Sequence, residues 1–219
     1  MKRMYASMAV LACIAIVVSL EASKKRKAEH TSPEAKFDYY VLALSWAPNY
    51  CAGHPGDHSN ECRIGQQANF VLHGLWPQAS EGDQPAACAP AQPVSHEIVR
   101  HMLEYFPSRS LIQHEWQHHG TCSGLSATDY FGKVEQAVNG LKIPDQYRNL
   151  GQGQKINVKD VERNFAQTNN APADAFRVSC HSGEMVSLEV CLSKDLQYQA
   201  CTSSARECPA PEVLMRATR

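Results

Sequence analysis

The sequence predicts an α+β fold, an antiparallel β-sheet packed with helices and stapled by disulfides. Three observations carry that prediction. The stretch Phe37 to Trp46 is aromatic and β-branched at its start and reads as a buried strand. Capped segments with helically spaced apolar residues fill the middle of the chain, and alternating segments fill its last third. Strands at both ends with helices grouped between them indicate α+β layering rather than alternating β-α units.

Taken in order, residues 1–22 read as an export signal. Lys2 and Arg3 precede an apolar run from Met8 to Leu20, and Ala22 offers a small residue for cleavage. The run is short for a membrane span, so no stable span is expected. Val10-Leu11-Ala12-Cys13 resembles a lipoprotein cleavage box, but the apolar run continues past Cys13, which favours the plain signal. Lys24 to Lys27, all basic, leaves an uncleaved anchor as a lesser alternative. Residues 23–36 lack periodicity and read as a disordered lead-in. Residues 37–219 then form one domain, a size that supports a single core.

Within that domain, Asn49 to Gly65 reads as a loop, and Asn69 to His73 as a short strand stopped by Gly74 and Pro77. Ala79 to Pro93 is loop. Ser95 caps a helix with Ile98, Met102, Leu103 and Phe106 inward, ended by Pro107. Ser108 or Ser110 caps the next, reaching about Gly120. Thr128 opens another through Val138, and Asn157 caps one over Val158 to Gln167. Ala175 to His181, Met185 to Leu192 and Leu196 to Cys201 read as antiparallel strands, with Gly183 in a hairpin turn.

The formal net charge is -1, so no charged envelope exists to hold nucleic acid by counterion release alone. Any polyanionic substrate must be selected by a local site. Nine cysteines include Cys13 in the signal; the other eight, an even number in an exported chain, imply a disulfide framework. Spacing alone leaves their pairing open.

Two segments carry chemistry. In Phe70 to Pro77 (FVLHGLWP), His73 stands at a predicted strand end, where sites form. Gly74 permits a turn or close approach, and Trp76 can stack on a base. In Gln113 to Cys122 (QHEWQHHGTC), His114 and His118 share one helix face, and Glu115 and His119 share the neighbouring stripe. Three imidazoles and a carboxylate on one patch are costly to gather without a use. His114 to His118 also satisfies H-E-x-x-H, the zinc peptidase pattern. Thr121, however, stands where the extended motif wants glycine, and no third ligand is marked, Glu135 being one formal candidate.

Together the two segments resemble the active-site segments of the ribonuclease T2 family. HGLWP matches unchanged, and HEWQHHGTC matches HEWxKHGTC except at one position. YVLALSWAPNYC, ending at Cys51, resembles the family's first strand, and the likeness runs from Phe37 onward. The resemblance implies an α+β fold and metal-independent cleavage of single-stranded RNA, with no cofactor. The ribose 2′-OH attacks phosphorus, giving a 2′,3′-cyclic phosphate and then a 3′-phosphate. DNA, which lacks that hydroxyl, is not cut. By position, His119 is the base and His73 the acid, His114 holds the phosphate, and Glu115 and His118 assist the five-coordinate phosphorus. Trp76 stacks on a base.

The family's lysine is His118 here, which loses its charge as pH rises and implies a more acidic optimum. Gln78 stands where some members have an acidic residue, so no base preference is assigned. The family's cysteine pattern implies Cys88 with Cys122 and Cys180 with Cys208 around Cys191 with Cys201, leaving Cys51 for Cys62. A monomer, secreted or periplasmic, with RNA as its partner is the expectation. Two other readings are a secreted zinc peptidase, and an exported RNA-binding protein whose catalysis has decayed, with His118 the first loss.

Overall fold

In the computed structural model, residues 36–202 and 207–218 are described; the expected signal and most of the lead-in lie outside them. Tyr39–Trp46 forms β1, whose residues are nearly all buried because side chains from both faces pack into apolar surroundings. β2 (Phe70–Gln78) pairs antiparallel along one edge of β1, and β5 (Glu184–Leu192) along the other. β4 (Phe176–His181) pairs with β5 through a tight turn at Ser182 and Gly183, both at positive φ. β3 (Gln154–Asn157) and β6 (Glu212–Met215) form a second antiparallel pair, joined to the start of β5 by a parallel bridge, Glu184 to Leu214. The expected antiparallel sheet is therefore mixed at that one junction.

Helices α1 (Ala47–Gly53), α2 (His96–Met102), α3 (Arg109–His118), α4 (Ala127–Gly140), α5 (Asp145–Arg148) and α6 (Val158–Asn169) complete the fold. Ser95, Ser108, Ser126 and Asn157 each accept a backbone N–H of the first turn, so four helices start where short polar side chains satisfy orphan donors. One sheet face carries Leu42, Leu44, Leu72 and Leu75, which share the main core with Ile112 and Trp116 of α3, Phe131 and Val134 of α4 and Phe165 of α6. The opposite face carries a smaller cluster, Tyr39, Val41, Cys191 and Cys201, with Trp76 against it.

Several expectations need correcting. Asn49 lies in α1, not a loop, and its buried amide donates to Met185 and Leu214 carbonyls, tying α1 to β5 and β6. β2 runs through Gly74 and Pro77 instead of stopping. It is an edge strand, where proline's missing N–H leaves no ladder bond unmade. The helix from His96 ends at Met102, four residues short of Phe106. Leu196 to Cys201 is not a strand; only Tyr198 bridges to Leu192. Four disulfides join Cys51 to Cys62, Cys88 to Cys122, Cys180 to Cys208 and Cys191 to Cys201, the pairing the resemblance implies. Among the described residues no helix is long and apolar enough to cross a membrane.

Candidate active site

The site begins with a fault in the β1–β2 ladder. Ala43 pairs with Gly74 but Leu44 pairs with Leu72, which leaves His73 as the extra residue of a β-bulge. A bulge re-aims the side chain it carries. Leu72 and Leu75 both enter the main core, while Trp76 packs against the smaller cluster on the other face. His73 Nδ1 lies 3.2 Å from the Ser45 hydroxyl of β1, and Nε2 faces the Glu115 carboxyl.

Helix α3 lies beside β2, with Ile112 and Trp116 in the core. Its last turn brings the second segment to the bulge. Glu115 is fully buried, and its Oε2 accepts the Trp76 indole N–H at 2.8 Å. Its Oε1 lies 3.6 Å from His73 Nε2, too far for a hydrogen bond, and has no partner. Gly74 makes this approach possible. A Cβ there would overlap the Glu115 carboxyl and crowd Trp76 Nε1, so the close approach expected at this glycine is made by a side chain of the protein itself.

His119 sits at the C-cap of α3, its N–H on the Glu115 carbonyl. Two devices fix it there. Gly120 packs so tightly on the Trp116 ring that a Cβ would collide with it, and the turn that follows ends at Cys122, bonded to Cys88. The Ala87 N–H also donates to the His118 carbonyl, closing the helix end. The His119 ring stacks on Trp76 with centroids 5.2 Å apart, and His73 meets the same indole edge-on at 5.5 Å. His73 and His119 thus flank one indole and one carboxyl. His114 stacks on His118 at 4.2 Å, as the shared helix face predicts, and approaches His119 at 6.5 Å. His118 is exposed and stands at the outer rim.

Desolvation dominates the electrostatics. Burial pushes the Glu115 carboxyl up to about 8, against the opposing pull of the Trp76 hydrogen bond. Burial, reinforced by the charges of His114, His118 and His73, depresses His119 to about 3. His73 is lowered by burial and by His114, moderated by the 41% of its side chain open to solvent. His114 is lowered by burial and by His118. Near neutrality the centre therefore carries little charge. An anion bound among these rings would reverse this, since opposite charge favours imidazolium.

His114, Glu115 and His119 each offer a donor atom within 4.8 Å of the others, a group able to hold a divalent ion. This is not the H-E-x-x-H arrangement. His118 is outside the group, and Glu115 stands in it as a donor rather than beside it as a general base.

Trp76 has its N–H engaged and a ring face covered by His119, so it braces the two segments as well as bordering the site. Sequence reasoning did not single out Ser45; it faces His73 only through strand pairing with β2, which leaves no local signal.

Comparison with known proteins places the chain in a family. The model of the ribonuclease T2 family matches residues 37–201. A ribonuclease of Aeromonas hydrophila is 45% identical over 95 residues, covering 43% of this chain and 42% of that protein. A probable ribonuclease of Haemophilus influenzae is 36% identical over 135 residues, covering 54% and 49%. The matched part of the chain thus spans about half the length of these relatives. An RNase-related protein from Calystegia sepium has a similar fold, with TM-score 0.66 at 22% identity over 85% of this chain and 100% of that one. The chain belongs to the ribonuclease T2 family.

Proposed function

We propose that the chain is an endoribonuclease that cleaves single-stranded RNA by transphosphorylation, with His73 and His119 as its acid–base pair. The observation that carries this is the placement of both rings against Trp76 and the buried carboxyl of Glu115. Neutral His119 takes the proton of the ribose 2′-OH as that oxygen attacks phosphorus. His73, protonated under the influence of the phosphate, donates to the departing 5′ oxygen. The product is a 2′,3′-cyclic phosphate, which water opens to a 3′-phosphate with the two roles exchanged.

Glu115 suits the five-coordinate phosphorus because it keeps its proton. A neutral carboxyl does not repel an incoming phosphate, and its unpartnered Oε1 can carry the O–H toward a phosphoryl oxygen. His114 and His118 stack at the open side, where their ring N–H groups can hold the phosphate. The four disulfides support action in an oxidising compartment, secreted or periplasmic, and the protein is taken to act as a monomer.

The test is incubation of purified protein with RNA, with a 2′-deoxy oligonucleotide and with a peptide substrate, each with and without EDTA. RNA cleavage that persists in EDTA and leaves cyclic-phosphate ends is expected, with the DNA and the peptide intact. Chelator-sensitive peptide cleavage would establish the peptidase alternative, and RNA binding without cleavage the decayed one.

A further inference from the structure

In the proposed reaction one nitrogen of His73 has two jobs. Its Nε2, which faces the Glu115 carboxyl, gives a proton to the departing 5′ oxygen in the first step and takes one from water in the second. Nε2 therefore alternates between an N–H and a lone pair. Nδ1 must keep its proton throughout, because a neutral ring protonated on Nε2 has no lone pair there to act as a base. In water the neutral side chain favours that unproductive tautomer, so a partner in the protein has to hold the proton on Nδ1.

The Ser45 hydroxyl is placed to do so. It lies 3.2 Å from His73 Nδ1, within hydrogen-bond range, and among the described residues no other hydrogen bond reaches the ring. Glu115 Oε1 stands 3.6 Å from the other nitrogen, and Trp76 meets the ring edge-on. The contact is a product of the bulge. Ser45 pairs with Val71, and the register shift between Ala43 and Leu44 leaves His73 without a ladder partner of its own. A bulged side chain is re-aimed and needs an anchor to fix its direction. Packing alone does not lock this ring, since 41% of the His73 side chain is open to solvent. Burial and His114 both disfavour the charged ring, and an acceptor at Nδ1 works against them.

We propose that Ser45 is a positioning residue for His73: its hydroxyl oxygen accepts the Nδ1–H, which fixes the tautomer and keeps Nε2 turned toward the scissile phosphate in both steps. The role rests on the ribonuclease reading above. Ser45 acts through the ring and not on the substrate, so its removal should appear in kcat rather than in KM.

Two measurements on the full chain, Ser45→Ala and Ser45→Thr test this. Ring 15N spectra at about pH 7.5, above the lowered His73 range, show which nitrogen carries the proton, the His73 signals being assigned by their loss in His73→Ala. Wild type and Ser45→Thr should hold it on Nδ1, and Ser45→Ala should move it toward Nε2. Kinetics then compare the dinucleotide CpA, whose leaving group needs an acid, with uridine 3′-(4-nitrophenyl phosphate), whose leaving group does not. Ser45→Ala should lose about tenfold or more in kcat on CpA, the scale of one hydrogen bond to a charged group, and less than about threefold on the ester. Ser45→Thr, which keeps the hydroxyl, should restore the CpA rate. Circular dichroism confirms that each variant is folded. A wild-type proton on Nε2, an unchanged CpA kcat in Ser45→Ala, equal losses on the two substrates, or a loss confined to KM overturns the proposal. If wild type cleaves neither substrate, the ribonuclease reading itself fails and the role of Ser45 falls with it.

Discussion

Replacing Gly74 with alanine adds one methyl group where the Glu115 carboxyl already lies. The backbone φ of Gly74 is not in the left-handed region, so the strand itself tolerates alanine; the conflict is with the side chain opposite. Glu115 is fully buried and cannot move into solvent. It must break its 2.8 Å bond with the Trp76 indole, which leaves a donor unmatched, and the overlap strains the packing of α3 on β2. Overpacking and a lost buried hydrogen bond each cost about 1–3 kcal/mol, so Gly74→Ala should destabilise the protein by roughly 2–5 kcal/mol. For a chain of this size that lowers Tm by roughly 5–15 °C. Displacing Glu115 should also reduce kcat by about 10²–10³, the scale of one transition-state contact. Calorimetry and dinucleotide kinetics measure both effects. The double variant Gly74→Ala, Glu115→Ala removes the collision with the carboxyl, though not the crowding of Trp76, and should recover part of the lost Tm, an interaction between neighbouring sites. A Gly74→Ala protein with the wild-type Tm and kcat would refute this packing argument.

Further outcomes follow from the same geometry. The proposed mechanism requires neutral His119, present above about pH 3, and protonated His73, present below a value lowered from 6.5, so kcat/KM should peak between these limits and fall toward neutrality. His118→Lys keeps a positive charge at the rim and should raise the rate at pH 7 relative to that at pH 5; an unchanged ratio refutes a charge role there. Glu115 is raised on folding, from 4.5 to about 8, so the unfolded chain ionises first and stability should fall as pH rises through that window. Glu115→Gln should remove this decline, read by denaturant unfolding at pH 5 and pH 8, and should keep more activity than Glu115→Ala. Removing the Cys88–Cys122 bond, which spans 34 residues, should cost about 3–4 kcal/mol and lower kcat by freeing His119.

Local chemistry was the legible part of this sequence. The caps at Ser95, Ser108 and Asn157 could be read because each is satisfied within its own first turn. The helix predicted from Thr128 starts slightly earlier, at Ala127, because Ser126 accepts the Asp129 N–H. What depends on distant pairing was hidden. β3 has only Ile156 as an apolar residue and exists because β6, over fifty residues away, pairs with it. The bulge at His73 is a property of the β1–β2 register and cannot be seen in either strand alone. At the site, the segments and their histidines could be read, and so could the helix face that His114 shares with His118, where the two rings stack. The approach of Glu115 to Gly74 was not, because it joins two segments that meet only in the folded chain.

The division of labour between the two imidazoles is tested most directly by changing the leaving group. Cleavage of a dinucleotide needs an acid to protonate a poor leaving alkoxide, whereas uridine 3′-(4-nitrophenyl phosphate) releases a stable phenolate without one. His73→Ala should lose about 10²–10⁴ in rate on the dinucleotide and keep most of its activity on the activated ester, while His119→Ala should lose activity on both. Equal losses of His73→Ala on the two substrates, or undiminished dinucleotide cleavage by either variant, would contradict the assignment of His73 as acid and His119 as base.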